Sequence, residues 1–128
     1  MYVRFVVNQR DTDSGRRQGL FHATGALRDS GVLGRQDWDR LAAAREWFNL
    51  HLERPARLAV SRRPHAKAQA ISWFKNSASE HIAQMGELQH ILEKHGIAVE
   101  VLTTQRPGYI VYEDEFQIAA YPFRDTPT

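Results

Sequence analysis

Apolar residues recur at steps of three and four through residues 71–96, the spacing that places side chains on one face of a helix. The series consists of Ile71, Phe74, Ala78, Ile82, Met85, Leu88 and Leu92. Gly96 follows it and predicts the helix end, because glycine readily adopts the left-handed cap conformation. Pro64 suits a first turn and would place the start near His65, whereas Ser77 fits the first position of a capping box. We favour the earlier start, because the apolar series passes Ser77 without a change of phase.

Two shorter helices are predicted upstream. The first spans residues 16–30 and ends at Gly31, and the second spans residues 35–52 and ends before Pro55. Their apolar faces consist of Leu20, Ala23, Ala26 and Leu27 in the first helix and Trp38, Leu41, Ala44, Phe48 and Leu52 in the second. From the long helix, the residues predicted to be buried are Phe74, Ile82, Met85 and Leu92.

Both ends of the chain have strand patterns. Residues 2–7 are rich in aromatic and β-branched side chains, and the C-terminal third has three short strand-like segments. These segments are residues 99–103, 109–112 and 116–121. The order predicts an α+β fold, in which the N-terminal strand and a C-terminal three-strand meander form an antiparallel sheet with the helices packed on one face. We expect one domain over residues 1–123 and a frayed tail at residues 124–128.

Composition restricts the class of protein. The chain has 128 residues and no cysteine, which excludes disulfides, thiolate nucleophiles and cysteine-ligated metals. No apolar run approaches the ~18 residues of a membrane-spanning helix, and the apolar start of the chain is interrupted by Arg4. We therefore expect a soluble cytoplasmic protein that does not bind a membrane.

Positive charge is concentrated in one part of the chain. The formal net charge is only +2, but residues 54–79 contain no aspartate or glutamate. Such a segment attracts nucleic acid or an acidic surface, although a solvated linker is the plainer explanation. Trp73 or His65 would supply a stacking group for bases. The candidate nucleic-acid-binding residues are Arg54, Arg57, Arg62, Arg63 and Lys67.

A second set of residues has the types that bind an anionic ligand. It combines an aromatic wall, fixed cations and a histidine that titrates near neutral pH. Its members are expected between the polar side of the long helix and the rim of the sheet. The plainer alternative is that Trp73 fills a gap in the core and the cations face water separately. The candidate ligand-binding residues are Trp73, Lys75, His81, Arg106 and Tyr109.

Catalytic and metal-binding motifs are weak. Glu87 and His90 have the Glu-x-x-His spacing of di-iron proteins, but this motif occurs once, and a His-Glu-x-x-His zinc motif is absent. The sequence also lacks a glycine-rich phosphate loop after a strand and a Gly-x-Ser-x-Gly motif. We expect no metal and no cofactor. Catalytic residues stay unknown, although a small enzyme would use Glu80, His81 and Arg106.

Four short segments carry a resemblance to other sequences. They are Ile71-Ser-Trp-Phe-Lys, Glu80-His-Ile, Arg106-Pro-Gly-Tyr and Val111-Tyr-Glu-Asp. Through them, most of the chain resembles a group of small uncharacterised bacterial proteins. The resemblance implies a bacterial cytoplasmic source and brings neither an activity nor a site residue.

The leading functional hypothesis is a small interaction or regulatory protein that binds a partner protein. It is based on the missing catalytic signatures and on two charged segments, the basic one and the acidic residues 113–115. A nucleic-acid-binding protein acting through residues 54–75 is the alternative, and a small enzyme acting on an anionic substrate is the second alternative. The sequence predicts neither the identity of the partner nor the oligomeric state.

Overall fold

The computed structural model describes residues 1–12, 15–54 and 70–128. This part of the chain contains six strands and three helices, and it confirms the predicted α+β fold with helices packed on a sheet. None of these helices has the length and the apolar composition that crossing a membrane requires. The elements are β1 (Tyr2–Arg10), β2 (Arg17–Gly19), α1 (Leu20–Asp29), α2 (Arg35–His51), β3 (Ile71–Lys75), α3 (Ser79–Lys94), β4 (Glu100–Thr104), β5 (Tyr109–Glu113) and β6 (Gln117–Tyr121).

Strand β1 is an interior strand of an antiparallel sheet and pairs along both of its edges. One of its edges pairs with β4 from Tyr2 to Val6. Tyr2 and Val3 also pair with β3, whereas Val6 and Arg10 also pair with β2. Because Tyr2 and Val6 each have β4 on one side, β3 and β2 must share the opposite edge of β1. The strand order is therefore β4-β1-β3-β6-β5, with β2 following β3 along the edge of β1.

The three C-terminal strands are antiparallel members of this sheet, and the N-terminal strand joins them as predicted. β5 and β6 form a hairpin, with a register shift between Ile110 and Tyr112. β4 pairs with β1 and extends the sheet at its other end. β1 is thus hydrogen-bonded directly to β4, the first of the three C-terminal strands.

The sheet buries side chains on both faces. Val3 and Phe5 of β1 point towards the helices, whereas Val6 points to the opposite face, where it packs with Trp73 and Ile118. The helices α1, α2 and α3 cover the first face and contribute the larger part of the core. Their buried apolar residues are Leu20, Ala23, Leu27, Leu41, Ala44, Phe48, Met85, Leu88, Ile91 and Leu92.

Asp37, in the first turn of α2, connects this helix to the C-terminal end of α3. Its buried carboxylate accepts hydrogen bonds from Lys94 Nζ at 3.1 Å and from His95 Nε2 at 3.2 Å. These two hydrogen bonds hold the pKa of Asp37 below its usual value. A negative charge is also favourable at the start of a helix, where the helix dipole is positive. The contact fixes α2 relative to α3.

The long helix is shorter than predicted. α3 begins at Ser79, close to the alternative start at Ser77, and the favoured start near His65 is wrong because Ile71–Lys75 forms β3. The apolar residues of this segment match a helical period, but a short run of β-branched and aromatic residues also suits a strand that is buried on both faces. Burial on both faces is what the structure has, with Trp73 on one face and Phe74 on the other.

Other predicted elements agree more closely. The second predicted helix is confirmed as Arg35–His51. The first helix begins only at Leu20, because the three residues of β2 pair with β1 instead. Of the four predicted core residues of the long helix, Ile82 is partly buried, and the other three, Phe74, Met85 and Leu92, are buried.

Residues 124–128, which the sequence predicts to be frayed, are attached to the domain. Thr126 Oγ1 donates to the carbonyl oxygen of Arg106 at 2.9 Å and accepts from the backbone N–H of Phe123 at 3.1 Å. Arg17 Nε donates to the carbonyl oxygen of Thr128 at 3.1 Å. The end of the chain therefore holds the β4–β5 turn and β2.

We expect Phe74→Ala to destabilise the protein by about 3–5 kcal/mol, because the change leaves a cavity between the sheet and α2. Chemical denaturation measures the free energy of unfolding. Phe123→Ala at an exposed position is the matched control and should cost less than about 1 kcal/mol. A similarly small loss for Phe74→Ala would show that its ring is not part of the core.

Two glycine substitutions should have opposite effects. Gly108 has φ +129°, and a Cβ there would lie 2.0 Å from the carbonyl oxygen of Tyr121. Gly108→Ala should therefore destabilise the fold by more than about 2 kcal/mol. Gly86, inside α3, has open space around it, so Gly86→Ala should stabilise the protein by about 0.5–1 kcal/mol. Thermal unfolding of both variants checks the signs, and a tolerated Gly108→Ala would contradict the close approach of β6.

Candidate ligand-binding site

The sheet is split beside β1. The pairing of β1 with β3 ends at Val3 and Phe74, and β2 takes over the same edge at Val6. Within the residues that the structure describes, Arg4 and Phe5 have no strand partner on this edge. Side chains from both faces of the sheet can reach the opening that results.

A cavity of about 790 Å³ lies at this split, between the sheet and helices α1 and α2. Its volume is within the roughly 300–1,000 Å³ that is usual for small-molecule sites. We call it the Arg4 cavity. The strands contribute Arg4, Phe5, Trp73 and Phe74 to its lining, and the helices contribute Phe21, Leu41, Arg45 and Phe48.

Arg4 places a buried guanidinium in the cavity wall. The residue is only 8% exposed. Its Nη2 donates to the carbonyl oxygen of Arg17, whereas its Nη1 has no hydrogen-bond partner among the described residues. Burial, reinforced by the positive charge of Arg17, lowers the pKa of Arg4 to about 10. The fold thus desolvates a cation and leaves one of its donor groups unused.

Trp73 has a second buried donor without a partner among the described residues. The side chain is 1% exposed, and Nε1 has no hydrogen-bond partner within the described part of the chain. Arg4 and Trp73 are the residues that follow the last pair of the β1–β3 ladder, Val3 and Phe74. Buried indole N–H groups usually have an acceptor, and an unsatisfied one costs about 1–3 kcal/mol. Both residues line the Arg4 cavity, but their unpaired nitrogens are themselves inaccessible to water.

Arg45 brings positive charge from the opposite wall. Its Nη1 donates to the carbonyl oxygen of Phe21 at 2.9 Å and to Thr24 Oγ1 at 3.1 Å, which ties α2 to α1. Burial lowers the pKa of Arg45, and the nearby Arg28 and Arg54 lower it further. The guanidinium groups around the cavity thus act on one another unfavourably, and a negative charge placed among them would be stabilised.

The charged residues that line the Arg4 cavity have a small excess of positive charge. Among the described residues, four arginines line it against three carboxylates. The arginines are Arg4, Arg28, Arg45 and Arg54, and the acids are Asp11, Glu46 and Glu53. The excess favours an anion over a cation.

A second depression surrounds His81, where α2 ends and α3 begins. His81 is buried, and its Nε2 lies 2.8 Å from the carbonyl oxygen of His51, so Nε2 carries the hydrogen and donates it. The imidazole stacks on Phe116 at 4.3 Å and meets the edge of Trp47 at 4.8 Å. These contacts give His81 a structural position between the two helices and the β5–β6 hairpin.

The hairpin at this depression is fixed by Asp114. Its carboxylate accepts hydrogen bonds from the Tyr112 hydroxyl at 2.6 Å, from Gln117 Nε2 at 3.1 Å and from two backbone N–H groups. Burial acts to raise the pKa of Asp114, but these hydrogen bonds outweigh it and the pKa is lowered. The hydrogen bond to Asp114 also raises the pKa of Tyr112 to about 12. In the described residues, no group of three or more acidic or histidine side chains is arranged to hold a metal ion.

The structure distributes the five candidate ligand-binding residues over different places. Trp73 lines the Arg4 cavity, but His81 lines the second depression. Lys75 Nζ forms an ion pair with Glu113 at 2.6 Å across the sheet. The hydrogen bond within this ion pair raises the pKa of Lys75. Glu113 thus already compensates the positive charge of Lys75.

The other two candidates lie near the β4–β5 turn. Arg106 is exposed, lies over the ring of Phe123 at 5.2 Å and approaches Asp125 at 3.7 Å. Tyr109 is an exposed residue of β5. Neither lines the Arg4 cavity or the depression at His81. The five residues do not share one cavity, and a ligand role for those outside it stays a prediction.

The basic residues can be placed only in part. Arg54 is exposed and lines both the Arg4 cavity and the second depression. The other candidates for nucleic-acid binding, Arg57, Arg62, Arg63 and Lys67, lie outside the described residues. Nucleic-acid binding through this segment therefore stays a prediction.

The sequence candidates do not include Arg4 and Arg45, although one signal for Arg4 is visible. A charged residue stands at a central position of an otherwise apolar strand, between Val3 and Phe5. Charged residues are almost never fully buried unless they are paired, so this position marks a candidate site. Arg45 has no such signal, because it lies on a helix with many charged residues.

Comparisons with protein-family models, with curated proteins and with solved structures find no match to this chain. The resemblance to small bacterial proteins accordingly stays a prediction, as do a bacterial source and a cytoplasmic location. What the site does must be inferred from the geometry and charge of its own residues.

Two arginine substitutions separate a binding role from a structural one. Arg4→Met should leave the free energy of unfolding within about 1 kcal/mol of the wild type or raise it. The change removes one hydrogen bond, from Nη2 to the carbonyl oxygen of Arg17, but it also removes a buried cation whose Nη1 has no partner among the described residues. Arg45→Met removes two hydrogen bonds between α1 and α2 and should cost about 1–3 kcal/mol. Urea denaturation measures both. A loss for Arg4→Met larger than that for Arg45→Met would make Arg4 a structural residue.

Proposed function

We propose that this protein binds a small anionic molecule in the Arg4 cavity. The observation that carries the proposal is a cavity of about 790 Å³ whose lining includes four arginines, Arg4, Arg28, Arg45 and Arg54. Arg4 is buried, and its Nη1 has no hydrogen-bond partner among the described residues. A buried cation that is not fully hydrogen-bonded needs an explanation, and a bound anion would compensate its charge.

Electrostatics support an anion as the ligand. Burial and the charge of Arg17 lower the pKa of Arg4, against the opposing effect of Asp11. Burial and the charges of Arg28 and Arg54 lower the pKa of Arg45, against the opposing effect of Asp29. A bound anion would offset the repulsion and gain from the low polarity of the surroundings, where charge interactions are stronger than in water.

Binding is better supported than catalysis. Histidine is the side chain best suited to proton transfer at neutral pH, and no histidine lines the Arg4 cavity in the part of the chain that the structure describes. His81, the candidate base, lies in the other depression and uses its Nε2 hydrogen for His51. A ligand-binding or ligand-regulated protein therefore fits the site better than a small enzyme.

A partner protein is the second candidate function. Trp38 is 46% exposed, and the partly exposed Phe21 lies at the same cavity. Exposed aromatic side chains frequently anchor protein interfaces. The two candidates are compatible, because a ligand in the Arg4 cavity would contact the residues that a partner would bind.

Calorimetric titration with acetate, benzoate, sulfate and phosphate, followed by thermal unfolding, tests the proposed function. At least one anion should bind, and at 100 times its Kd it should stabilise the fold by about 2.7 kcal/mol. Arg4→Met should weaken its binding by about tenfold or more, since it removes a positive charge from the lining of the cavity. Trp73→Phe should weaken it as well, since it changes the wall of the cavity.

Two matched variants control for general effects of charge and of aromatic substitution. Arg35→Met removes an exposed arginine from α2, and Trp47→Phe removes an indole N–H; neither residue lines the cavity. Both variants should bind the anion as the wild type does. Equal binding by the wild type and Arg4→Met, or binding by no anion, would contradict the proposal.

A further inference from the structure

We infer that the second depression, at His81, binds an organic cation with N–H donors, namely a primary ammonium or a guanidinium group. The depression and the Arg4 cavity share lining residues at the C-terminal end of α2, but their excess charges have opposite signs. This inference is independent of the anion binding proposed above, because it depends on other side chains.

Carboxylates predominate in the lining of the second depression. Among the described residues, four acids line it against one arginine, Arg54. The acids are Glu53, Glu80, Asp114 and Glu115. The three glutamates are exposed, and none of them forms an ion pair with another described residue. This excess of negative charge attracts a cation.

Two helix ends meet at the depression, and their dipoles offset each other. α2 ends there with partially negative carbonyl groups, and α3 begins there with partially positive N–H groups, roughly half a charge each. The carboxylates therefore decide the sign of the local potential. The end of α2 also supplies acceptors, because the carbonyl oxygens of Asn49 and Leu50 accept no hydrogen bond from another described residue.

His81 supplies a separate observation that indicates a ligand with N–H donors. The residue is only 3% exposed, and its Nε2 donates to the carbonyl oxygen of His51. In the neutral imidazole, Nδ1 then carries a lone pair and no hydrogen. Nδ1 has no hydrogen-bond partner among the described residues, yet it is not closed off from water as Arg4 Nη1 and Trp73 Nε1 are. A nearly buried side chain that lines the depression thus keeps an accessible acceptor unused.

The arrangement of the acceptors selects the kind of cation. In the described part of the chain, no three acidic or histidine side chains are close enough to hold a metal ion. A quaternary ammonium has the charge but no N–H to donate to Nδ1. Ammonium and guanidinium groups carry several N–H donors and can reach Nδ1 and the carboxylates together. Phe116, which lines the depression and stacks on His81, adds an aromatic ring that attracts a cation.

Four cations test the inference by calorimetric titration of their chloride salts at constant ionic strength: spermidine, N-acetylarginine amide, tetramethylammonium and calcium. Spermidine or the arginine derivative should bind at least about tenfold tighter than the other two, because only these two donate N–H hydrogen bonds. Tighter binding of spermidine would indicate a free polyamine as the source of the cation. Tighter binding of the arginine derivative would indicate a side chain of a partner protein.

Substitutions at the lining locate the site. His81→Gln retains an amide N–H for the carbonyl oxygen of His51 but removes the acceptor at Nδ1, and it should weaken binding by about tenfold or more. Glu80→Gln combined with Glu115→Gln should weaken it by about threefold to tenfold, because both charges are exposed to water. Glu93→Gln, at an exposed position of α3 outside the depression, is the matched control and should change nothing.

Four results would overturn the inference: no cation binds, tetramethylammonium binds as tightly as spermidine and the arginine derivative, calcium binds tightest, or the double glutamate variant binds as the wild type does. Wild-type affinity in a folded His81→Gln variant would overturn it as well, and if that variant does not fold, the double glutamate variant decides. Arg4 does not line the depression, so Arg4→Met should leave cation binding unchanged. Failure of this inference is thereby distinguished from failure of the proposed anion binding.

Discussion

The hydrogen bonding of β1 along both of its edges is the constraint on which this structure depends. One edge has a single partner, β4, whereas the other is divided between β3 and β2, which come from different parts of the sequence. Two strands that follow each other along a third leave a gap where one stops and the next starts. The Arg4 cavity lies at that gap, and its lining combines buried core side chains with exposed residues such as Trp38 and Arg54. Strand pairing thus places the cavity where the sheet is interrupted.

The local sequence pattern was sufficient to predict the second helix and the C-terminal strands. The helix Arg35–His51 has one apolar face and a clear end, and the C-terminal strands alternate between turns rich in proline, glycine and acidic residues. β3 could not be predicted in this way. Its five residues fit a helical period as well as a strand, and only pairing with β1 and β6, which is not local, decides between them.

Because residues 71–75 were predicted to be helical, the position of Trp73 at the Arg4 cavity could not be predicted either. Trp73 was a candidate because it would lie on the polar side of a long helix. In the structure it lies in β3, and Trp73 and Arg4 are the residues that follow the last β1–β3 pair, Phe74 and Val3. Without the register of β1 and β3, nothing in the sequence brings these two residues together. The cations that sequence reasoning did choose, Lys75 and Arg106, have acidic neighbours of their own in Glu113 and Asp125. Their residue types suited an anion, but their surroundings already supply the opposite charge.

The Arg4 cavity has a physical advantage for the binding proposed above. Folding has already buried Arg4 and Trp73 and fixed both on strands, so a ligand would not have to order them. The opposite wall is fixed as well, because Arg45 joins α2 to α1 at the backbone of Phe21. Burial of the Arg4 cation with one unpaired nitrogen costs free energy in the fold without a ligand. If the proposed anion binds here, a substitution that removes this cost at Arg4 also removes a positive charge that attracts the anion, so stability and binding would change in opposite directions.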